Sequence, residues 1–219
     1  MRSVLMVCAF GLLCSSASAG EGFSVSLGVG GGLWNLPAGS LRSSLGKLNP
    51  PRSGEQVLLT EELADGLGVR FAMAYNILGY ASVELGMTGH GWNLGKLDAI
   101  GGSGHATLTA HFHPLELFLP ERDFDATVFL GGGYAILGGG HEDDALSRGL
   151  DGGLLELGLT GRYFFAPWFS LGAELRLGFP FFSRWHVDWE DGEDYALKDN
   201  PKAMFTGLLV TTSFHFAAK

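Results

Sequence analysis

The chain ends on LLVTTSFHFAAK, residues 208 to 219. Side chains along a strand alternate between two faces, so Leu208, Val210, Thr212, Phe214 and Phe216 share one side and Leu209, Thr211, Ser213 and His215 the other. One face is apolar and aromatic. A soluble core could bury it, and so could a lipid bilayer, so the choice rests on how the rest of the chain is patterned.

The same alternation recurs upstream. Phe23, Val25, Leu27 and Val29 oppose Ser24, Ser26, Gly28 and Gly30, and Leu67, Val69, Phe71, Met73, Tyr75 and Ile77 oppose Gly68, Arg70, Ala72, Ala74 and Asn76. Eight stretches read this way, at 22–34, 67–77, 80–92, 104–114, 124–137, 153–165, 168–182 and 203–216. The intervals between them run long (35–66), short (78–79), medium (93–103), short (115–123), medium (138–152), short (166–167) and long (183–202). An even number of strands joined by tight turns at one end and larger loops at the other is the layout of a transmembrane barrel. The expected fold is therefore an eight-stranded antiparallel up-and-down transmembrane β-barrel.

Composition separates this from a soluble barrel of the lipocalin kind, whose strands turn apolar side chains inward and charged ones to water. Here the small and polar face is mostly Gly, Ser, Thr and Ala. The lysines, at 47, 96, 198, 202 and 219, all fall outside the eight stretches. Outside the first residues no run approaches the ~18 apolar residues that a membrane helix needs. Any crossing is made by strands.

Residues 1–19 carry Arg2, an apolar stretch from Val4 to Leu13 and Ala17-Ser18-Ala19, the pattern of a cleaved signal peptide, which leaves 20–219 as one barrel domain. A lipoprotein reading through Cys14 meets Leu13 where a small residue is needed. Both cysteines, Cys8 and Cys14, lie in the signal, so the exported part has none for disulfides or metal binding. Removing Arg2 leaves 13 basic and 23 acidic residues, a balance of −10 that argues against nucleic acid as a partner.

Aromatic residues near strand ends suit membrane interfaces. Trp34, Trp92 and Trp185 are expected at the outer rim, and Tyr75, Tyr80, Phe112, Phe124, Tyr163, Trp168 and Phe216 at the inner one. With the apolar face toward lipid, Arg70, Glu84, Glu156, Arg162, Glu174 and Arg176 point inward. The turn at Ala166 and Pro167 sets Glu156 nearly opposite Arg176 and Arg162 diagonal to Glu174, while Arg70 and Glu84 are diagonal across the turn at Leu78. Three charges of each sign in a lumen just wide enough for side chains read as a paired plug. The many lumenal glycines argue the other way, by leaving voids for a small molecule.

No catalytic residues are assigned and the chain is read as no enzyme. Within a strand, a serine stands two residues from a histidine only at Ser213 and His215, with no carboxylate evident. His105, His111 and His113 share the lumenal face of the fourth stretch. His105 and His111 lie ~20 Å apart along the strand, and His111 and His113, at ~7 Å, lack a third ligand. No cofactor is expected. The acidic run Asp188, Glu190, Asp191, Glu193 and Asp194 is a weak candidate for a hard cation, off the EF-hand spacing. The interval 35–66 carries a candidate helix at 56–64 where a partner would dock.

Three stretches bear a family resemblance. TLTAHFHP (107–114), ATVFLGGGYAIL (126–137) and LELGLTGRYFFAPWFSLGAELRLG (155–178) are similar to strands of the small bacterial outer-membrane barrels of the OmpA-like and OmpW-like group. The aromatic, apolar final strand resembles the signal by which barrel assembly machinery recognises such proteins, except that the chain continues through Ala217-Ala218-Lys219. The resemblance implies the outer membrane of a Gram-negative bacterium, with lipid and lipopolysaccharide as neighbours. Three functions fit: a non-enzymatic structural or interaction role, with an envelope protein partner at the extracellular loops; an OmpW-like narrow path or pocket for small apolar molecules; and lipid modification.

Overall fold

The computed structural model describes residues 22–37, 40, 43–44, 66–94, 99–118, 123–141, 148–186 and 194–217. The signal segment, the 56–64 helix and Asp188, Glu190, Asp191 and Glu193 lie outside the described residues. Eight long strands form the wall: β1 (Gly22–Asn35), β2 (Gly66–Asn76), β3 (Ala81–Leu94), β4 (Ala99–Phe112), β5 (Phe124–His141), β6 (Arg148–Ala166), β7 (Phe169–His186) and β9 (Met204–Ala217). A three-residue strand, β8 (Asp194–Ala196), pairs with the end of β7, and a short helix, α1 (Pro114–Phe118), follows β4. Each long strand pairs antiparallel with its neighbours, and β9 joins both β7 and β1. The eight long strands close into a barrel.

Closure is made by the C-terminal strand β9 pairing with β1. Gly22 pairs with Ala217 and Asn35 with Met204 along an unbroken register, and inside the seam the hydroxyls of Ser26 and Ser213 share a hydrogen bond of 2.7 Å. Val210 and Leu208 are exposed on the outer face, whereas Leu209 is buried. Around its middle the outer surface is apolar, from Leu27 and Val29 to Met87, Leu108, Leu130 and Leu159. A water-soluble protein seldom exposes so continuous an apolar band.

At the end carrying the short turns, Tyr75, Tyr80, Phe112, Phe124, Tyr163, Trp168 and Phe216 are all exposed on the outer face. The other rim differs from expectation. Trp34 and Trp185 are each 3% exposed and point into the barrel. Trp34 follows the strand phase, since Leu33 takes the outward position. Trp185 is turned inward by a bulge. Asp151 pairs with Arg184 but Gly152 pairs with Phe182, so Ser183 is skipped and the alternation shifts by one residue. The Trp92 side chain lies outside the described part.

On the outer face near the loops stand Tyr134, Phe181 and a polar group instead. Arg184 donates from Nε to Asp151 Oδ1 at 3.0 Å, and the Tyr134 hydroxyl bonds both residues. His186 lies 3.2 Å from Asp151 Oδ1 and 2.5 Å from Asp194 Oδ1. A carboxylate on this face is tolerable where a cation and a hydroxyl meet it, which marks the end of the apolar band.

The loops at that end are also shorter than the sequence implied. The intervals 93–103 and 138–152 shrink to 95–98 and 142–147, because their glycine-rich flanks continue the ladder, with Gly101 on Gly139 and Gly102 on Gly138. Glycine clusters read as loop by composition, but a barrel wall accepts them where neighbouring side chains occupy the space.

Candidate functional site

The lumen is filled in layers. Each is built from the inward half of the strand alternation, and glycine sets how far side chains reach. In the middle, Arg70 donates from Nη2 to Glu84 Oε1 at 2.5 Å and from Nε to Glu174 Oε1 at 3.1 Å. Arg176 bonds Glu174 on its own strand, Glu156 at 2.6 Å and Glu84 at 3.5 Å. Its guanidinium also lies 4.7 Å from the centroid of Phe129. His111 stands 3.4 Å from Glu84, and His105 stands 3.6 Å from Glu156. Five of the six charged residues picked from alternation thus meet in one network across β2, β3, β6 and β7.

The sixth does not join it. Glu174 is occupied by Arg70 and Arg176, and Arg162, although diagonal to it, has no carboxylate within 4.0 Å among the described residues. The expected balance of three and three therefore becomes two guanidiniums against three carboxylates, one negative charge in excess. His105 and His111 face that excess. A cluster out of water holds only when such charges are met by partners.

Toward the loops the lumen becomes apolar. His90 and His105 stack with centroids 6.0 Å apart against Phe205, and above them Trp34, Leu137, Leu150, Leu154, Phe182 and Trp185 form a buried cluster. The Trp34 indole N–H donates to Ser103 Oγ at 2.8 Å. The alternation carries this signal, since Trp34, Leu154 and Phe205 share the inward phase of Gly32, Glu156 and Leu209, whereas the β7 bulge leaves no mark in it.

The glycines leave less space than their number suggested. A Cβ on Gly86 would strike the Arg70 guanidinium, on Gly68 or Gly32 the His90 ring, and on Gly158 the Phe129 ring. Long side chains from other strands already occupy those positions.

Near the short turns, hydroxyls and imidazoles pair. Ser82 Oγ lies 2.9 Å from His113 Nε2, and His113 Nδ1 lies 2.8 Å from Asp125 Oδ2, which also accepts from Thr127 at 3.0 Å. His215 bonds Ser170 at 2.8 Å, not the neighbouring Ser213. His111 and His113 are thus bound into different groups. Among the described residues no three His, Asp or Glu side chains are arranged to hold a metal ion. At α1, burial and then the nearby Asp125 carboxylate raise the pKa of Glu116 above the ordinary carboxylate value.

No family model and no curated protein matches the chain. Solved structures do. Neisserial surface protein A superimposes with a TM-score of 0.59 at 11% identity, covering 89% of this chain and 97% of that one. The outer membrane protein OprG from Pseudomonas aeruginosa gives 0.54 at 13% identity over 93% of this chain and 100% of its own, and a major outer membrane protein from Thermus thermophilus gives 0.54 at 14% over 90% and 99%. The fold is that of the small outer-membrane barrels. An outer-membrane barrel turns its apolar side chains to lipid, which accounts for the exposed band and for the aromatic ring around the short-turn end.

Proposed function

We propose that this barrel lies in the outer membrane of a Gram-negative bacterium, exported by the signal at 1–19, with a lumen that does not conduct. In this reading it acts structurally or as a subunit of an envelope-spanning assembly. Lipid and lipopolysaccharide surround the wall, an envelope protein partner meets the extracellular loops, and barrel assembly machinery reads the final strand.

The observation that supports the reading is Arg176. It is fully buried at mid-lumen and shared among Glu84, Glu156 and Glu174. Such a cation blocks the axis unless all its partners move. The test is conductance of the refolded protein in planar bilayers, beside the Glu174→Ala, Arg176→Ala double variant. Silence in the wild type and leak in the variant are expected. A conducting wild type blocked by small apolar molecules would overturn the sealed reading in favour of an OmpW-like path.

A further inference from the structure

The group at the short-turn end has a direction. An ionised carboxylate only accepts hydrogen bonds, so the proton between His113 and Asp125 sits on Nδ1. In the neutral imidazole that leaves Nε2 as an acceptor, and the hydroxyl 2.9 Å from it, Ser82 Oγ, is the donor. Thr127 steadies the same Asp125 oxygen. Hydroxyl to Nε2, Nδ1 to carboxylate is the order in which a serine nucleophile is activated on several unrelated folds. The three residues come from β3, from the position just after β4, and from β5, so no sequence motif joins them.

A second serine and histidine provide an internal contrast. Ser170 and His215 are as close, at 2.8 Å, but no carboxylate among the described residues bonds His215. Only one of the two pairs is built with its orienting acid. Ser82 is the second residue of β3, and the His113 backbone N–H donates to the Tyr80 carbonyl in the adjoining turn at 2.8 Å, which puts the group at the mouth of the lumen.

Arg162 is the independent observation. It is 8% exposed, is paired in register with Asp125 across β5 and β6, and its Nε has no hydrogen-bond partner among the described residues. A buried guanidinium left short of acceptors favours a ligand that brings one.

We propose that Ser82 is an activated nucleophile for acyl transfer, with His113 as base and Asp125 as the positioning residue, toward carboxylic esters carrying an anionic group that Arg162 receives. Ser82 Oγ bonds to the ester carbonyl carbon as its proton passes to His113 Nε2. The ester C–O bond then breaks, and the alcohol leaves with that proton. Water, deprotonated by His113, cleaves the acyl-serine, giving the acid and restoring Ser82. Ester and water become acid and alcohol, with no other reactant. The activity stands or falls independently of whether the lumen conducts.

The test uses the full chain refolded in micelles, with folding checked for every variant by heat-dependent gel mobility. A fluorophosphonate is expected to form an adduct at Ser82, located by peptide mass spectrometry, that Ser82→Ala abolishes and Ser170→Ala leaves unchanged. Asp125→Asn should slow labelling by about a hundredfold and displace its pH profile, since the amide no longer holds the Nδ1 proton. Arg162→Met should raise KM for an anionic nitrophenyl ester and not for nitrophenyl acetate. No adduct at Ser82 in folded wild type, equal labelling of Ser82 and Ser170, or an unaltered rate in folded Asp125→Asn each overturns the proposal.

Discussion

The Phe129 ring lies beneath the Arg176 guanidinium and occupies the space where Gly158 has no side chain. A cation over an aromatic face is attracted by the ring quadrupole, more so when both are out of water. The absent Cβ is what lets the two meet. Gly158→Ala would bring its methyl onto Phe129 and the Leu175 carbonyl. A loss of about 1–3 kcal/mol is expected, as for other overpacked interiors. Urea unfolding in micelles measures it.

Removing Arg176 leaves Glu156 with no guanidinium and Arg70 alone between Glu84 and Glu174, all out of water. Arg176→Met should cost about 3–5 kcal/mol, the usual penalty for orphaning buried charges. Adding Glu174→Gln to it should recover part of that loss, because one repelling carboxylate is gone. A double-mutant cycle in urea reads the coupling, and simple additivity would mean that the cluster is hydrated.

Trp168 is 41% exposed on the outer face, whereas Trp34 and Trp185 are each 3% exposed in the lumen. In variants retaining one tryptophan each, brominated acyl chains should quench Trp168 strongly and the other two weakly. Strong quenching of Trp185 would mean that the bulge at Ser183 is absent and the strand phase unbroken.

Glu116 has a raised pKa, chiefly from burial and then from Asp125. The folded chain therefore holds this proton more tightly than the unfolded one. Stability attributable to Glu116 falls as pH rises from its unfolded pKa of ~4.3 through the higher folded value, and is lowest above both. Glu116→Gln should raise the urea midpoint at pH 7 and lose that advantage as pH falls toward ~4.

The lipid-facing half of the fold was legible because it depends on a local rule: alternate residues face alternate ways, and lipid favours apolar side chains on the face that meets it. The strands therefore appeared nearly in full, and so did the inward position of Arg70, Glu84, Glu156, Glu174 and Arg176. What a neighbour does across the lumen is not local. Arg70 reaches Glu174 from 104 residues away, which took from Arg162 the partner that strand register had offered. The Ser82, His113 and Asp125 group leaves no mark within any one strand, because its members come from three separate segments. The bulge at Ser183 is a one-residue slip in pairing with no compositional mark, and it reversed the direction of Trp185. Glycine in this wall is not void, since its meaning is set by the side chain that lies over it.

The Ser26 and Ser213 hydrogen bond joins residues 187 positions apart. Until it forms, both β1 and β9 carry an unpaired edge, and every pairing already made between them belongs to an open sheet. The contact is therefore among the last that folding can complete, and loop-closure entropy makes such long-range pairing slow. Nearly the whole chain must be made before the first strand meets its final neighbour, so the unfinished protein depends on being kept apart from others of its kind for all that time.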